Sequence, residues 1–178
     1  MDDHIKPFFT ASAGVNALSP GETKADVIYE VSSQGFGNDY RYNKCFQFDG
    51  ANRYLSKFWQ YENGPHNNTF PLIRKTEAYY IAAEILKQSD KNRAIELLNM
   101  VRAHRKLEDY PLPNSLSTEE VQREIFKEYR KEFLGEGQLF FYYKRLNLPQ
   151  IEGAGIPATT SVYVLPMPDI EIEFGSRQ

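Results

Sequence analysis

The chain has 178 residues, 41% of them hydrophobic and 25% charged, enough for one domain with a hydrophobic core. A formal net charge of -3 argues against nucleic acid as the main partner, because phosphate binding needs concentrated Lys and Arg. The single cysteine, Cys45, excludes an internal disulfide, and His4, His66 and His104 are isolated, with no metal-ligand partner at helical spacing.

Two further features bound the reading. The aromatic share is 14%, with 12 Tyr and 12 Phe beside one Trp. No stretch approaches the roughly 18 apolar residues of a membrane span, so no transmembrane segment is expected. Asp2 and Asp3 stand where a secretory signal carries positive charge, and no apolar core follows them. If the protein works outside the cytoplasm, its export signal is expected on sequence beyond this chain.

Met1 to about Gln60 reads as irregular, rich in Gly, Ser, Asn and Tyr. Its best strand runs from Tyr40 to Phe48, where Tyr40, Tyr42, Phe46 and Phe48 alternate with Arg41, Asn43, Cys45 and Gln47. Asp26 to Val31 reads as a weaker strand. Tyr61 to Thr69 is a loop by its Asn-Gly-Pro composition.

From Pro71 the character becomes helical. Pro71 suits a first helical turn, and the helix is expected to reach about Gln88 with Ala78, Ile81, Ala82 and Ile85 on its apolar face. Ser89-Asp90 caps a second helix in which Ala94, Leu97, Leu98 and Val101 recur at helical spacing. The pair follows the spacing of a tetratricopeptide unit, although the aromatic positions of that pattern are missing. Ser117 and Glu120 form a capping box that opens a third helix, with Val121, Ile125, Tyr129 and Phe133 as its apolar stripe. Gly135-Glu136-Gly137 ends that helix. Leu139 to Leu146 reads as a short aromatic helix whose run Phe140 to Tyr143 is core, and Ser161 to Leu165 as an extended stretch. The expected fold class is mainly α: a tetratricopeptide-like helical pair plus further helices, with irregular loops and a few short strands. Residues 1–70 are expected to form a loop and strand region facing ligand or partner, and residues 71–178 a helical region.

Sugar recognition needs flat aromatic faces against C–H-rich sugar faces and planar polar groups to orient hydroxyls. Phe58, Trp59 and Tyr61 beside Asn63 offer that mixture, as do Asn38, Tyr40 and Arg41. For Trp59 the competing reading is a ring closing over the helical core. Glu128, Glu132 and Glu136 share a helix face, a spacing that invites a glycosidase with an acid and a carboxylate. Lys127, Arg130, Lys131 and Arg145 nearby favour structural ion pairs, with Glu132 or Glu136 meeting Arg130 or Arg145. No phosphate loop, catalytic triad order or cysteine nucleophile signature appears.

Four segments in order resemble the SusD/RagB family. They are Phe70 to Arg74 with Glu77 to Glu84; Ala94 to Asn99 with Val101-Arg102; Arg130 to Gly137 with Lys144-Arg145; and Tyr163 to Pro168 with Glu171-Ile172. The resemblance covers about Tyr54 to Phe174. Leu139 and Tyr142 stand where many members carry Arg and Asp, a joint loss that reads as a missing ion pair. The resemblance implies a SusD-like, non-enzymatic lipoprotein of Bacteroidetes-type bacteria on the outer face of the outer membrane. It implies capture of an oligosaccharide, or sometimes a peptide, for a SusC-like TonB-dependent transporter, with no cofactor. Members are longer, which implies that the anchor, the first helix pairs and several ligand loops precede Met1. A tetratricopeptide-type adaptor that binds a protein segment is the alternative, and a glycoside hydrolase the more distant one.

Overall fold

The computed structural model describes residues 19–49, 52–57, 73–158, 160–164 and 167–168. The chain divides into two compact units, Met1–Gly135 and Glu136–Gln178. Among the described residues the fold is mainly helical, as the patterning predicts, with one two-stranded sheet.

The first unit begins with helix α1, Gly21–Tyr29, and the single turn α2, Val31–Gln34. The weak strand expected at Asp26–Val31 is therefore a helix. Its β-branched residues suggested extension, but Ala25 and Tyr29, four apart, are the two fully buried positions, and that spacing is helical. A second departure follows at Tyr40. Asp39 caps α3, Tyr40–Lys44, by accepting a hydrogen bond from the Arg41 amide at 2.8 Å. This local bond outcompetes the alternating pattern over the first half of the expected strand. Extension starts only at β1, Phe46–Asp49, which pairs antiparallel with β2, Asn52–Leu55, in the register Phe46 to Leu55.

Tyr29, Phe46 and Leu55 form a small core with Ile28, Val31, Tyr42, Cys45 and Leu134 packed against it. The Tyr29 and Phe46 rings meet edge to face at 5.7 Å. Burial pushes the Cys45 thiol up, which keeps it protonated at neutral pH.

The helical pair is present as α4, Lys75–Leu86, and α5, Lys91–Ala103. Asp90 caps α5 by accepting from the Arg93 amide at 3.0 Å, and Ala94, Leu97, Leu98 and Val101 are all buried. The face expected to be buried on α4 is not. Ile81 is 50% and Ile85 71% exposed, and the buried positions are Tyr80 and Ala83. This helix is apolar on two sides, so periodicity identifies the helix without choosing its buried face.

Helix α6, Thr118–Phe133, starts at the Ser117–Glu120 capping box, with both reciprocal bonds present. Val121, Ile125, Tyr129 and Phe133 are buried as the spacing predicts. The helix ends at Leu134 and Gly135, where Gly135 adopts a φ of +76° and a Cβ would collide with the Leu55 side chain. Gly135→Ala is expected to cost about 1–3 kcal/mol, read as a lower urea midpoint, since both backbone strain and overpacking oppose it.

The second unit holds α7, Gln138–Arg145, a bridge between Gln150 and Pro157, and one helical turn, α8, Thr160–Tyr163. That turn replaces the extended stretch expected from Ser161. Tyr163 is anchored by its hydroxyl, which donates to the Leu148 carbonyl at 2.7 Å. In α7, Tyr142 and Tyr143 are buried, but Phe141 is 66% exposed, because four consecutive helical residues cannot face one core.

Candidate functional site

Four carboxylates, Glu30, Asp39, Glu128 and Glu132, and three cations, Arg41, Arg102 and Lys131, are buried along one side of α6. Glu128 is fully buried, and its Oε2 lies 2.8 Å from Arg41 Nη1 while its Oε1 lies 2.8 Å from Arg102 Nη1 and 3.3 Å from Lys131 Nζ. Lys131, also fully buried, reaches Glu30 Oε2 at 2.7 Å. Glu30 sits between α1 and α2 at a left-handed φ of 56°, so a strained backbone position presents this carboxylate. Asp39 clasps the Arg41 guanidinium at 2.7 and 3.0 Å, and Arg102 donates to the Tyr110 carbonyl at 2.8 Å.

Burial alone would raise the Glu128 carboxyl, but Arg41, Lys131 and Arg102 hold it well below the usual carboxylate range. Glu132 is likewise lowered against its burial by the Arg105 hydrogen bond and the Arg41 charge. A glycosidase acid at neutral pH needs a raised carboxyl, and these two are depressed. Their geometry is that of an ion-paired keystone locking α1, α3, α5 and α6 together.

Above this network a cleft of about 680 Å³ opens, lined by Tyr40, Arg41, Lys44 and Cys45 around α3, Ser56 and Lys57 after β2, and Arg74, Arg105 and Glu132. Arg105 grips Glu132 through two hydrogen bonds of 2.8 and 3.1 Å and also donates to Thr76 Oγ1 at 3.1 Å. The Arg105 carbonyl accepts from the Tyr40 amide at 3.0 Å, tying the end of the helical pair to α3. Lys57 Nζ and Arg74 Nη1 donate to the Glu132 carbonyl at 2.6 and 3.2 Å, so they cap the C-terminal end of α6. The size suits a small-molecule ligand rather than a single small ion.

Tyr40 and Arg41 both line the cleft, Tyr40 as an exposed ring and Arg41 as a buried guanidinium committed to carboxylates. Asn38 is exposed just before α3 and does not line it. Phe58, Trp59, Tyr61 and Asn63 lie outside the described residues. Glu132 meets Arg105 at 2.8 Å and Arg41 at 3.6 Å. Arg130 lies with its guanidinium 5.5 Å from the Phe126 ring. In the second unit Glu136 is half-buried before α7, and Arg145 closes α7 with its guanidinium 5.5 Å from the Tyr142 ring. Sequence reasoning missed Lys44, Lys57, Arg74 and Arg105 as cleft residues. They are scattered over four segments, and only tertiary structure assembles them.

Comparison with known proteins gives one match: the model of the SusD family aligns with residues 22–163. No curated protein and no solved structure matches the chain significantly. The matched stretch contains the helical pair, α6, the buried ion-pair network and every described residue of the cleft lining. Among the described residues no helix is long and apolar enough to cross a membrane.

Proposed function

The chain belongs to the SusD family, and on that premise we propose that it captures glycan without catalysis, using the cleft beside α3 as a ligand site. Carbohydrate binding in nutrient uptake is the coarse role that family membership supports. The finer reading is a lipoprotein on the outer face of a bacterial outer membrane that hands an oligosaccharide or polysaccharide to a SusC-like TonB-dependent transporter. Residues 1–70 act as the main ligand- or partner-facing part, and residues 71–178 as the scaffold, which also lends Arg74, Arg105 and Glu132 to the cleft.

The observation that carries this reading is the cleft itself. It combines the exposed Tyr40 ring with a rim of multiple N–H donors, the pairing that a sugar's C–H face and hydroxyls require. Most of its lining comes from residues 40–57, and in sequence Lys57 runs directly into Phe58 and Trp59. The depressed Glu128 and Glu132 carboxyls favour binding over hydrolysis.

Affinity electrophoresis of the full chain through gels containing a panel of polysaccharides tests the reading. Retardation by at least one polysaccharide, weakened in Tyr40→Ala and Trp59→Ala variants of unchanged circular dichroism, is the expected result. Unchanged mobility in every gel would remove glycan capture. One observation favours a second reading, a protein adaptor: Ile73, Ile81 and Ile85 lie exposed on or beside α4, 88%, 50% and 71% open. That reading gains if the panel fails while a purified partner protein binds and Ile81→Glu abolishes the interaction.

A further inference from the structure

Arg105 lines two cavities: the cleft beside α3, and a smaller pocket of about 210 Å³ between α4 and the end of α5. Among the described residues, α4 contributes Lys75, Thr76 and Tyr79 to this pocket, and Met100, Val101, His104 and Arg105 close it from the other helix. The cavities adjoin at a second point, since Arg74 lines the cleft and Lys75 the pocket. Arg105 is fixed where they meet. Its guanidinium donates to both Glu132 carboxylate oxygens, which belong to the cleft, and at 3.1 Å to Thr76 Oγ1, which belongs to the pocket. A quarter of its side chain stays open to solvent.

The pocket pairs an apolar ring with polar groups. Tyr79 stands about 100° round the helix from Tyr80, so Tyr80 enters the core while Tyr79 is half-buried, with Lys75 Nζ 5.7 Å from its ring. Val101 is buried beneath and Met100 is partly exposed. His104 is exposed, and its Nδ1 lies 2.7 Å from the Met100 carbonyl. A carbonyl only accepts, so Nδ1 carries the proton and Nε2 of the neutral ring is left as an acceptor for a hydroxyl.

At this volume the pocket is smaller than the roughly 300 Å³ that usually encloses a whole small-molecule ligand. It suits part of a ligand whose remainder lies in the adjoining cleft. We propose, resting on glycan capture in the cleft, that the pocket is a second subsite and that one extended oligosaccharide occupies both, crossing Arg105. Tyr79 meets an apolar sugar face and His104 accepts from a hydroxyl. The ligand class is then a linear stretch of glycan held along its length. Contacts in the second subsite cost no further loss of translational freedom, so they add to affinity.

The test is calorimetric titration of the full chain with malto-, xylo- and galacturono-oligosaccharides, each as the disaccharide and the octasaccharide. Three variants accompany it: Tyr79→Ala and His104→Ala in the pocket, and Tyr40→Ala in the cleft. Because His104 is exposed, its removal leaves the packing intact even if Tyr79→Ala unfolds. For a series that binds, the octasaccharide is expected to bind at least about tenfold more tightly than the disaccharide. Tyr79→Ala is expected to weaken the octasaccharide about tenfold and His104→Ala about threefold, with the disaccharide unchanged in both. A longer chain also gains simply by offering more registers, but that gain survives both pocket variants. Tyr40→Ala weakens both lengths. An octasaccharide indifferent to both pocket variants, yet weakened by Tyr40→Ala, would overturn the second subsite and leave capture in the cleft intact. Equal weakening of both lengths by the pocket variants would trace the effect to a disturbed cleft and overturn it too. Binding that depends on the pocket and ignores Tyr40→Ala would overturn the shared site. Binding of none of the probes would overturn both glycan capture and the second subsite.

Discussion

Glu128→Ala is expected to lose about 3–5 kcal/mol of stability in urea unfolding, because it leaves three buried cations around an empty carboxylate position. Arg41, Arg102 and Lys131 all approach Glu128 within 3.3 Å, and Lys131 has no solvent exposure to retreat into. Coulomb attraction and desolvation nearly offset while the set is complete. Removing one member exposes the desolvation cost of the others, which decides the sign. Loss below about 1 kcal/mol would mean that the network relaxes into water and is no keystone. The same carboxylates give a pH dependence. Glu30, Glu128 and Glu132 titrate below their ordinary value in the folded chain, so the unfolded chain binds their protons first. Their stabilisation is fully present above the ordinary carboxylate value of 4.5 and is lost as pH falls below it. Thermal midpoints are expected to drop steeply on that acid side, with a shallower drop in Glu128→Gln.

Tyr29→Ala is the second large effect, about 3–5 kcal/mol, on the scale of deleting a buried aromatic ring. Tyr29 is fully buried against Phe46 and Tyr42, and its hydroxyl donates to the Lys131 carbonyl at 3.0 Å. One side chain thus pins α1 to the hairpin and to α6. Tyr29→Phe separates the two contributions. It keeps the ring, strands one carbonyl bond, and is expected to cost about 1 kcal/mol. If Tyr29→Ala cost no more than Tyr29→Phe, the ring packing would contribute nothing, and α1 would not be integral to the first unit.

The helices with caps and one apolar stripe were legible in the sequence. Ser117, Glu120 and the i+4 steps through Phe133 located α6, and Asp90 with Ala94 and Leu98 located α5, because each signal is local. Where local signals conflict, tertiary packing decides. Val27 and Ile28 suggested a strand, yet Ala25 and Tyr29 bury a helical face. On α4 both sides are apolar, and the hydroxyl-bearing Tyr80 went inside while Ile81 stayed out. The candidate site was the least legible part. Tyr40 and Arg41 were recognisable as an aromatic beside a planar cation. That Arg41 would turn inward to Glu128, while Arg74 and Arg105 joined the rim, depends on residues 33 and 64 positions away along the chain. Periodicity carries no information over such distances.

Ligand entering the cleft beside α3 would shield the backbone that lines it. Hydrogen exchange of the full chain, with and without an oligosaccharide of the polysaccharide that retards it most, tests this directly. Slowed exchange is expected at Tyr40–Cys45 and at Ser56–Lys57, with little change in the capped first turn of α6. Protection confined to segments outside the cleft, or no protection at saturating ligand, would contradict it.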